Sequence, residues 1–287
     1  MDDPTRVAWS LNRETRYPFG RDAPDPERYE PIGFPPPWPD RPWIFGVMVA
    51  SANRVVAWQR RSAGDDPVLA ILGGDDDRPE RVADRRLMRY LRCFGDMAIG
   101  SQTIRDQPEL VQTPAQPGDE PAPALYRFRA EHGLPHHPRE VIYSLHGCLP
   151  LEHPVFNTPG LEVTVVTTEI GIAELARRGA AHHDVGLIVE ALPGRASLRR
   201  AHERLFAERG VRYLNCEGGM TVLRALRDAQ LLDEVFITVT DSVVELAAHD
   251  GVSTIFDFEA EGAELIAEGR TAADSGYVFR RWRFNRR

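Results

Sequence analysis

The sequence predicts an α/β fold: a mostly parallel mixed sheet with helices on both faces and antiparallel strands at its C-terminal edge. Three observations carry that expectation. Apolar runs of strand length alternate with stretches of helical period between residues 43 and 240. Two of the strand-to-helix junctions are built from glycine and small hydroxyl residues. From residue 253 onward the pattern continues as strand-like segments with no helix between them.

The elements follow in order. Residues 44–50 are an apolar run short enough for a buried strand, and 54–58 continue it after a turn at Ala52-Asn53. Over 84–94, Leu87, Met88, Leu91 and Phe94 share one face while Arg85, Arg86, Arg89 and Arg92 lie elsewhere, which is the pattern of an amphipathic helix. A strand at 96–100 comes next. Residues 107–139, rich in Pro and Gly, break the alternation and read as a long loop, either a lid or an insertion. Strands at 140–145, 162–168 and 185–191 then alternate with helices at 170–178 and 196–209. A strand at 211–216, a helix at 220–229 and a strand at 234–240 complete the run, and 253–258, 264–267 and 277–284 read as the antiparallel edge. The N-terminal 1–40 stands apart, with prolines at 24, 26, 31, 35, 36, 37 and 39 and Trp38 among them. Proline at that density removes amide donors and fixes backbone angles, so this stretch reads as an extended arm ahead of a 41–287 domain.

Composition narrows the chemistry. The 287 residues, 42% of them hydrophobic, suffice for one large or two small domains. Thirty-five basic against 43 acidic residues give a net charge of −8, which argues against a nucleic-acid binder held by phosphate contacts. Every basic residue is arginine. Without lysine there is no GxxxxGK[ST] loop, no Schiff-base amine and no amine of shifted pKa. Cys93, Cys148 and Cys216 are far apart and odd in number, so neither a disulfide framework nor a CxxC zinc site is expected, and a reducing cytoplasm fits best. No run of about 18 apolar residues offers a membrane span, and the N-terminus lacks the basic and apolar regions of a signal peptide.

The sharpest local signal is Leu214-Asn215-Cys216-Glu217-Gly218-Gly219-Met220-Thr221, where a strand runs into two glycines and a helix start. Backbone amides without Cβ atoms beside them can approach a phosphate closely, and the helix N-terminus adds free N–H groups and partial positive charge. The same string also reads as a plain tight turn, with Glu217 a stabilising acid near a helix start. A second junction, Gly100-Ser101-Gln102-Thr103-Ile104-Arg105, again puts Gly, hydroxyls and an Arg at a strand's carboxyl end, the edge where open α/β sheets collect ligands. Two such places on one sheet suit a dinucleotide. The remaining candidates are weaker. Cys216 has no histidine near it in sequence and reads as a small hydrophobe. The pairs His136-His137 and His182-His183 lack further ligands at metal spacing, and Asp75-Asp76-Asp77 lacks the rest of a calcium loop, so no metal is expected.

Five motifs in order and at matching spacing give a resemblance: Gly100-x-x-Thr103-x-Arg105, Ser144-x-x-Gly147-x-Leu149-Pro150, Val165-Val166-Thr167-Thr168, Cys216-Glu217-Gly218-Gly219-Met220-Thr221 and Asp233-Glu234-Val235. Over about residues 41–284 the chain resembles the reductase domain of bacterial riboflavin biosynthesis, the C-terminal domain of the deaminase-reductase proteins. Asp274-Ser275-Gly276-Tyr277 also looks like the final strand of actinobacterial pyrimidine-reductase relatives. The resemblance implies a dihydrofolate reductase-like three-layer α/β/α fold, NADPH as cofactor, hydride transfer to a C=N of a pyrimidine or pterin-like heterocycle, and a homodimer through edge strands.

The resemblance also implies roles. Residues 218–223, with Gly218, Gly219, Met220 and Thr221, would bind the cofactor diphosphate together with Thr103 and, beside Gly100, Arg105. Ser144, Thr167 and Thr168 would lie near the adenosine 2′-phosphate, and the first strand, ending at Ala50, would run along the nicotinamide. Glu217 would be the catalytic residue, facing the substrate and orienting the heterocycle's amide or amino groups, Arg92 would touch the substrate, and Ser51 and Asn53 would complete the pocket with Leu110 on its substrate side. Gly74 and Asp75 fall in a segment that contacts substrate in the family.

The sequence departs from the family at two places. Where members carry Ser-Leu-Asp-Gly after the first strand, this chain has Ser51-Ala52-Asn53-Arg54, so an amide that cannot serve as a base replaces a carboxylate. After Thr103, where the family has an arginine for the substrate's ribose phosphate, 107–112 contain none. No H-x-E with a later P-C-x-x-C is present, so the zinc deaminase half is missing from this sequence. Alternatives to the riboflavin-type reductase are a dihydrofolate or pterin reductase, and a non-catalytic NADPH-binding module of the same fold.

Overall fold

A computed structural model describes residues 7–12 and 32–285, apart from 61, 63–64, 74–76, 116–118, 120–121, 181–182, 184, 191–194 and 272–275. The prolines at 24, 26 and 31, Gly74, Asp75, Asp76, His182 and the Asp274-Ser275 pair lie outside the described residues. The chain forms two compact units, one from 1–35, 46–88 and 233–287 and a second from 36–45 and 89–232.

The second unit carries the parallel sheet. Strands β4 (Asp96–Gly100), β5 (Glu140–Tyr143), β6 (Val163–Thr167), β7 (Val185–Val189) and β8 (Tyr213–Cys216) stand in the order β8-β4-β5-β6-β7. Each neighbouring pair is parallel, with Met97 opposite Glu140, Glu140 opposite Val163, and Val163 opposite Val185. Strands this buried read as continuous apolar runs because both faces are covered. On one face Ile99, Ile142, Val163 and Val165 pack with Ile104 of α3 (Ser101–Asp106) and Leu175 of α5 (Glu169–Arg177). On the other, Tyr143 shares a 2.8 Å hydrogen bond with His202 of α6 (Arg195–Arg209). This is the three-layer α/β/α arrangement the sequence predicts, completed by α4 (Ala122–Glu131) and α7 (Met220–Asp228).

The first unit is largely antiparallel, ordered β1-β11-β12-β9-β2, where β2 (Trp43–Ala50) enters with 46–50. Strands β9 (Glu234–Val239), β11 (Ala263–Thr271) and β12 (Val278–Phe284) form the expected C-terminal ladder. A small ladder pairs β3 (Val55–Ala57) with β10 (Ser253–Thr254). Helix α1 (Pro67–Leu72) is capped by Asp66, whose side chain accepts from the amides of Val68 and Leu69, and Pro67 sits at the first helical position. Helix α2 (Pro79–Leu91) follows it in the chain.

Three expectations are corrected, and the packing of the arm's aromatic end is found. The arm at 1–40 contains β1 (Val7–Asn12), which pairs antiparallel with β11 and replaces it at the edge. The arm's aromatic end packs on its own chain: Phe34 is buried against Phe236, and Trp38 stacks on Trp43. The long break at 107–139 holds helix α4, which prolines on either side had masked. The expected strand at 253–258 is only two residues long before a turn.

Candidate active site

Two helix starts define the best ligand position, and both lie in the second unit. Strand β8 ends at Cys216, and the chain turns through Glu217, Gly218 and Gly219 into α7. Gly218 lies flat on β4: a Cβ here would meet the Cα, Cβ and Cγ2 of Ile99 at 2.9 Å, closer than real contacts allow. Gly219 takes φ 61°, a left-handed conformation that glycine adopts without strain, and its side is open except for Thr103 Oγ1 at 3.9 Å. No side chain caps α7, so its first amides stay available, and Gly219 and Thr221 are exposed. The neighbouring helix α3 starts at Gly100 in the same uncapped way. A cradle that any Cβ would fill, lined by uncapped amides and a threonine hydroxyl, fits the diphosphate of a dinucleotide.

Sequence reasoning places Ser144, Thr167 and Thr168 along the same carboxyl edge of the sheet, and the structure finds them there. Thr167 Oγ1 donates to the Ser144 carbonyl at 2.6 Å, and Thr168 Oγ1 donates to the Leu145 carbonyl at 2.7 Å while capping α5. Gly147, at φ 65°, lies directly on Gly171, and a Cβ on either would collide with the other's loop. These contacts fix a loop beside which Leu145 and Ile170 remain exposed. Arg105 is exposed and donates to the Cys148 carbonyl at 3.0 Å and to Gln102 at 2.8 Å.

Glu217 is the centre of a buried polar cluster. Arg92 grips it with Nε at 2.8 Å and Nη2 at 2.5 Å, a bidentate pair in which both side chains are nearly buried. Gln112 Nε2 donates to Oε2 at 3.0 Å and Asn215 Nδ2 to Oε1 at 3.1 Å. Four donors therefore hold one carboxylate. Arg92 also donates to the Thr113 carbonyl at 3.0 Å, tying the 111–115 segment to the cluster. Burial works against the Arg92 charge, but Glu217, by charge and hydrogen bond, and Glu140 outweigh it and raise the guanidinium above its ordinary pKa. Gln112 and Asn215 went unnoticed in the sequence, although an amide inside a strand run and another in a Pro-flanked segment were visible signals.

Several candidates have structural occupations. Leu110, partly buried, packs against the apolar cluster around Ile104 and Ile142. Cys216 is buried, and burial pushes its thiol up to about 12, in line with the reading that gives it no chemistry. His136 is exposed and stacks on Tyr126 at 4.3 Å. Among the described residues no group of three His, Cys, Asp or Glu side chains is placed to hold a metal ion.

The first unit holds the turn 51–54. Ala50 is buried and its carbonyl accepts from the Thr240 amide at 2.9 Å. Buried Ser51 donates through Oγ to Asn53 Oδ1 at 2.7 Å and accepts from the Val55 amide at 3.0 Å. The Asn53 amide donates to the Val244 carbonyl at 2.8 Å, and its oxygen accepts from the Val244 amide at 3.1 Å. A carboxylate could accept but never donate the first of these. Arg54 adopts φ 67°, a left-handed backbone that glycine takes without strain, at the place where the resemblance leads one to expect glycine.

Comparison with known proteins accords with this geometry. Residues 66–244, more than half of the chain, match the model of the RibD C-terminal domain. No curated protein sequence matches. Among solved structures, RibD of Acinetobacter baumannii superposes with a TM-score of 0.60 at 16% identity, covering 86% of this chain and 59% of that one. A pyrimidine reductase-like protein from Corynebacterium diphtheriae gives 0.58 at 18% identity over 86% of this chain and 94% of that one. A Saccharomyces riboflavin biosynthesis reductase gives 0.52 at 15% identity over 85% and 90%. The chain thus spans less than two thirds of the Acinetobacter protein but nearly all of the other two.

Proposed function

Because the chain belongs to the RibD C-terminal domain family, we propose that it is an NADPH-dependent reductase of riboflavin biosynthesis. Its substrate is a pyrimidine of the 5-amino-6-(5-phosphoribosylamino)uracil type, the compound after which the reductase activity of a structurally similar Thermotoga maritima enzyme is named. The observation that carries the reading is the uncapped start of α7 over Gly218 and Gly219, with the four-donor Glu217 at its base.

When bound, the nicotinamide supplies the hydride for a polarised C=N, and the rest falls to the chain's own residues. Gly218 and Gly219 let the α7 amides reach the diphosphate, with Thr103 adding a hydroxyl, and Ser144, Thr167 and Thr168 shape the adenosine end. Glu217, gripped by Arg92, is the fixed carboxylate that orients the heterocycle's N–H groups. For Ala50 and the turn 51–54, the resemblance to the family suggests contact with the nicotinamide and the substrate. The work is done in the cytoplasm by a homodimer; among the described residues, no helix is long and apolar enough to cross a membrane.

A second reading, an NADPH-binding module without turnover, is favoured by one observation. Both polar atoms of the Asn53 amide group are engaged, by Ser51 and by the Val244 backbone, and an amide offers neither acid nor base at that place. Following NADPH oxidation with the riboflavin-pathway pyrimidine, dihydrofolate and dihydrobiopterin separates the readings. Turnover with the pyrimidine establishes the first, turnover only with a pterin redirects it, and NADPH binding without turnover establishes the second.

A further inference from the structure

Glu140 has no role in the reaction just described, yet it is the most costly residue in the second unit to leave unexplained. It opens β5, is fully buried, and neither of its carboxyl oxygens has a hydrogen-bond partner among the described residues. Met97 pairs with Glu140 on one side and with Asn215 on the other, so the three side chains lie in one row on one face of the sheet. Arg92 and Glu217 act on Glu140 electrostatically.

The charges there do not balance if both acids ionise. The Arg92 fork is committed to Glu217 by two bonds, and Gln112 and Asn215 each add one more. The Gln112 backbone amide acts on Glu140, but neither carboxyl oxygen meets a donor at full hydrogen-bond geometry among the described residues. A buried carboxylate without donors is strongly disfavoured, and the group with the weaker hold takes a proton instead. Gln112 Oε1 and Asn215 Oδ1 are buried acceptors with no donor of their own among the described residues, so this neighbourhood lacks protons to share rather than acceptors.

We propose that Glu140 is a positioning residue that keeps its proton at neutral pH, so that the Arg92 guanidinium serves Glu217 alone. The groups facing it support this. Burial pushes the Glu140 carboxyl well above the usual range, with Glu217 and Asp96 adding to the rise, against Arg92 and the Gln112 backbone amide. Ionised Glu140 would draw Arg92 away from Glu217 and from the Thr113 carbonyl, loosening the acceptor the substrate meets. Only this last step rests on the reductase reading.

Infrared spectroscopy and melting test the charge state on the apo protein. An unfolded Glu ionises near pH 4.3. Above that pH the native state binds one more proton than the unfolded state, so this group costs wild type stability as pH rises, until Glu140 ionises in the fold as well. Glu140→Gln removes that loss. Its Tm relative to wild type should climb by roughly 3 °C per pH unit above about pH 5. A protonated-carboxyl C=O band should persist at neutral pH in wild type and be absent from the variant. A Tm difference that is flat with pH, together with a band untouched by the substitution, overturns the proposal. Should Glu140→Gln fail to fold, Glu217→Gln decides. It frees Arg92 for Glu140, so the band should disappear, and its survival overturns the proposal. With active enzyme, an alkaline fall in kcat/KM that Glu140→Gln abolishes ties the proton to positioning, and a fall unchanged in the variant breaks that tie.

Discussion

The turn at 51–54 and the turn at 217–219 both follow the end of a strand, and both place one residue in left-handed backbone, at Arg54 (φ 67°) and Gly219 (φ 61°). They treat their polar groups in opposite ways. The first is closed: the Ser51 hydroxyl, both ends of the Asn53 amide and the Val244 backbone bond to one another. The second is open, with α7 uncapped and only the Glu217 side chain held, by Arg92, Gln112 and Asn215. A closed turn can carry a strained non-glycine residue because its internal bonds over-determine the backbone. An open turn that approaches a ligand cannot, because the ligand needs the space a Cβ would fill.

Variants can break this contrast, starting with the largest effect. Arg92→Met removes the bidentate partner of a nearly buried carboxylate, and leaving Glu217 without its cation should cost about 3–5 kcal/mol. Thermal melting should show it as a fall of roughly 10 °C; a fall of a degree or two would mean that Gln112 and Asn215 suffice. Gly218→Ala comes next, since its methyl would press on Ile99 and demand a backbone shift costing about 1–3 kcal/mol. That cost should appear in denaturant midpoints without added cofactor.

The closed turn gives smaller effects. Asn53→Asp deletes the bond to the Val244 carbonyl and sets a carboxylate against it, so a loss of about 2 kcal/mol is expected. If the variant melts like wild type, the loop is not locked as described; if it also gains turnover, the binding-module reading gains weight for the native chain. Arg54→Gly should stabilise the protein by about 1 kcal/mol, because relief of the left-handed strain exceeds loss of an exposed ion pair with Asp257. A destabilised Arg54→Gly variant would show that the ion pair is the stronger of the two.

The same contrast explains what the sequence disclosed. The parallel sheet was legible because its strands are short runs rich in Val, Ile and Leu, as at 163–167, where all five residues are buried, and at 185–189. The open turn was legible because Gly218-Gly219 at a strand-to-helix junction is a local signal. Strand β1 was not, since Val7–Asn12 is a short segment set far from the other strand-like runs, and its partner β11 lies at the opposite end of the chain. Helix α4 was hidden by prolines that bracket it. Nothing local to Glu140, Gln112 or Asn215 announces their shared cluster, because the three meet only once β5, β8 and the 111–115 segment are folded together. Arg54 likewise reads as a lost glycine until its φ is known.

The central claim is that the open turn holds the cofactor, and equilibrium NADPH titration of wild type beside Gly219→Asp tests it most directly. Wild type should bind, and the variant, with bulk and negative charge set where the diphosphate lies, should bind at least about 100-fold more weakly. Circular dichroism should show the same secondary structure in both. Equal NADPH affinity in the two proteins, or no binding by wild type, would contradict it.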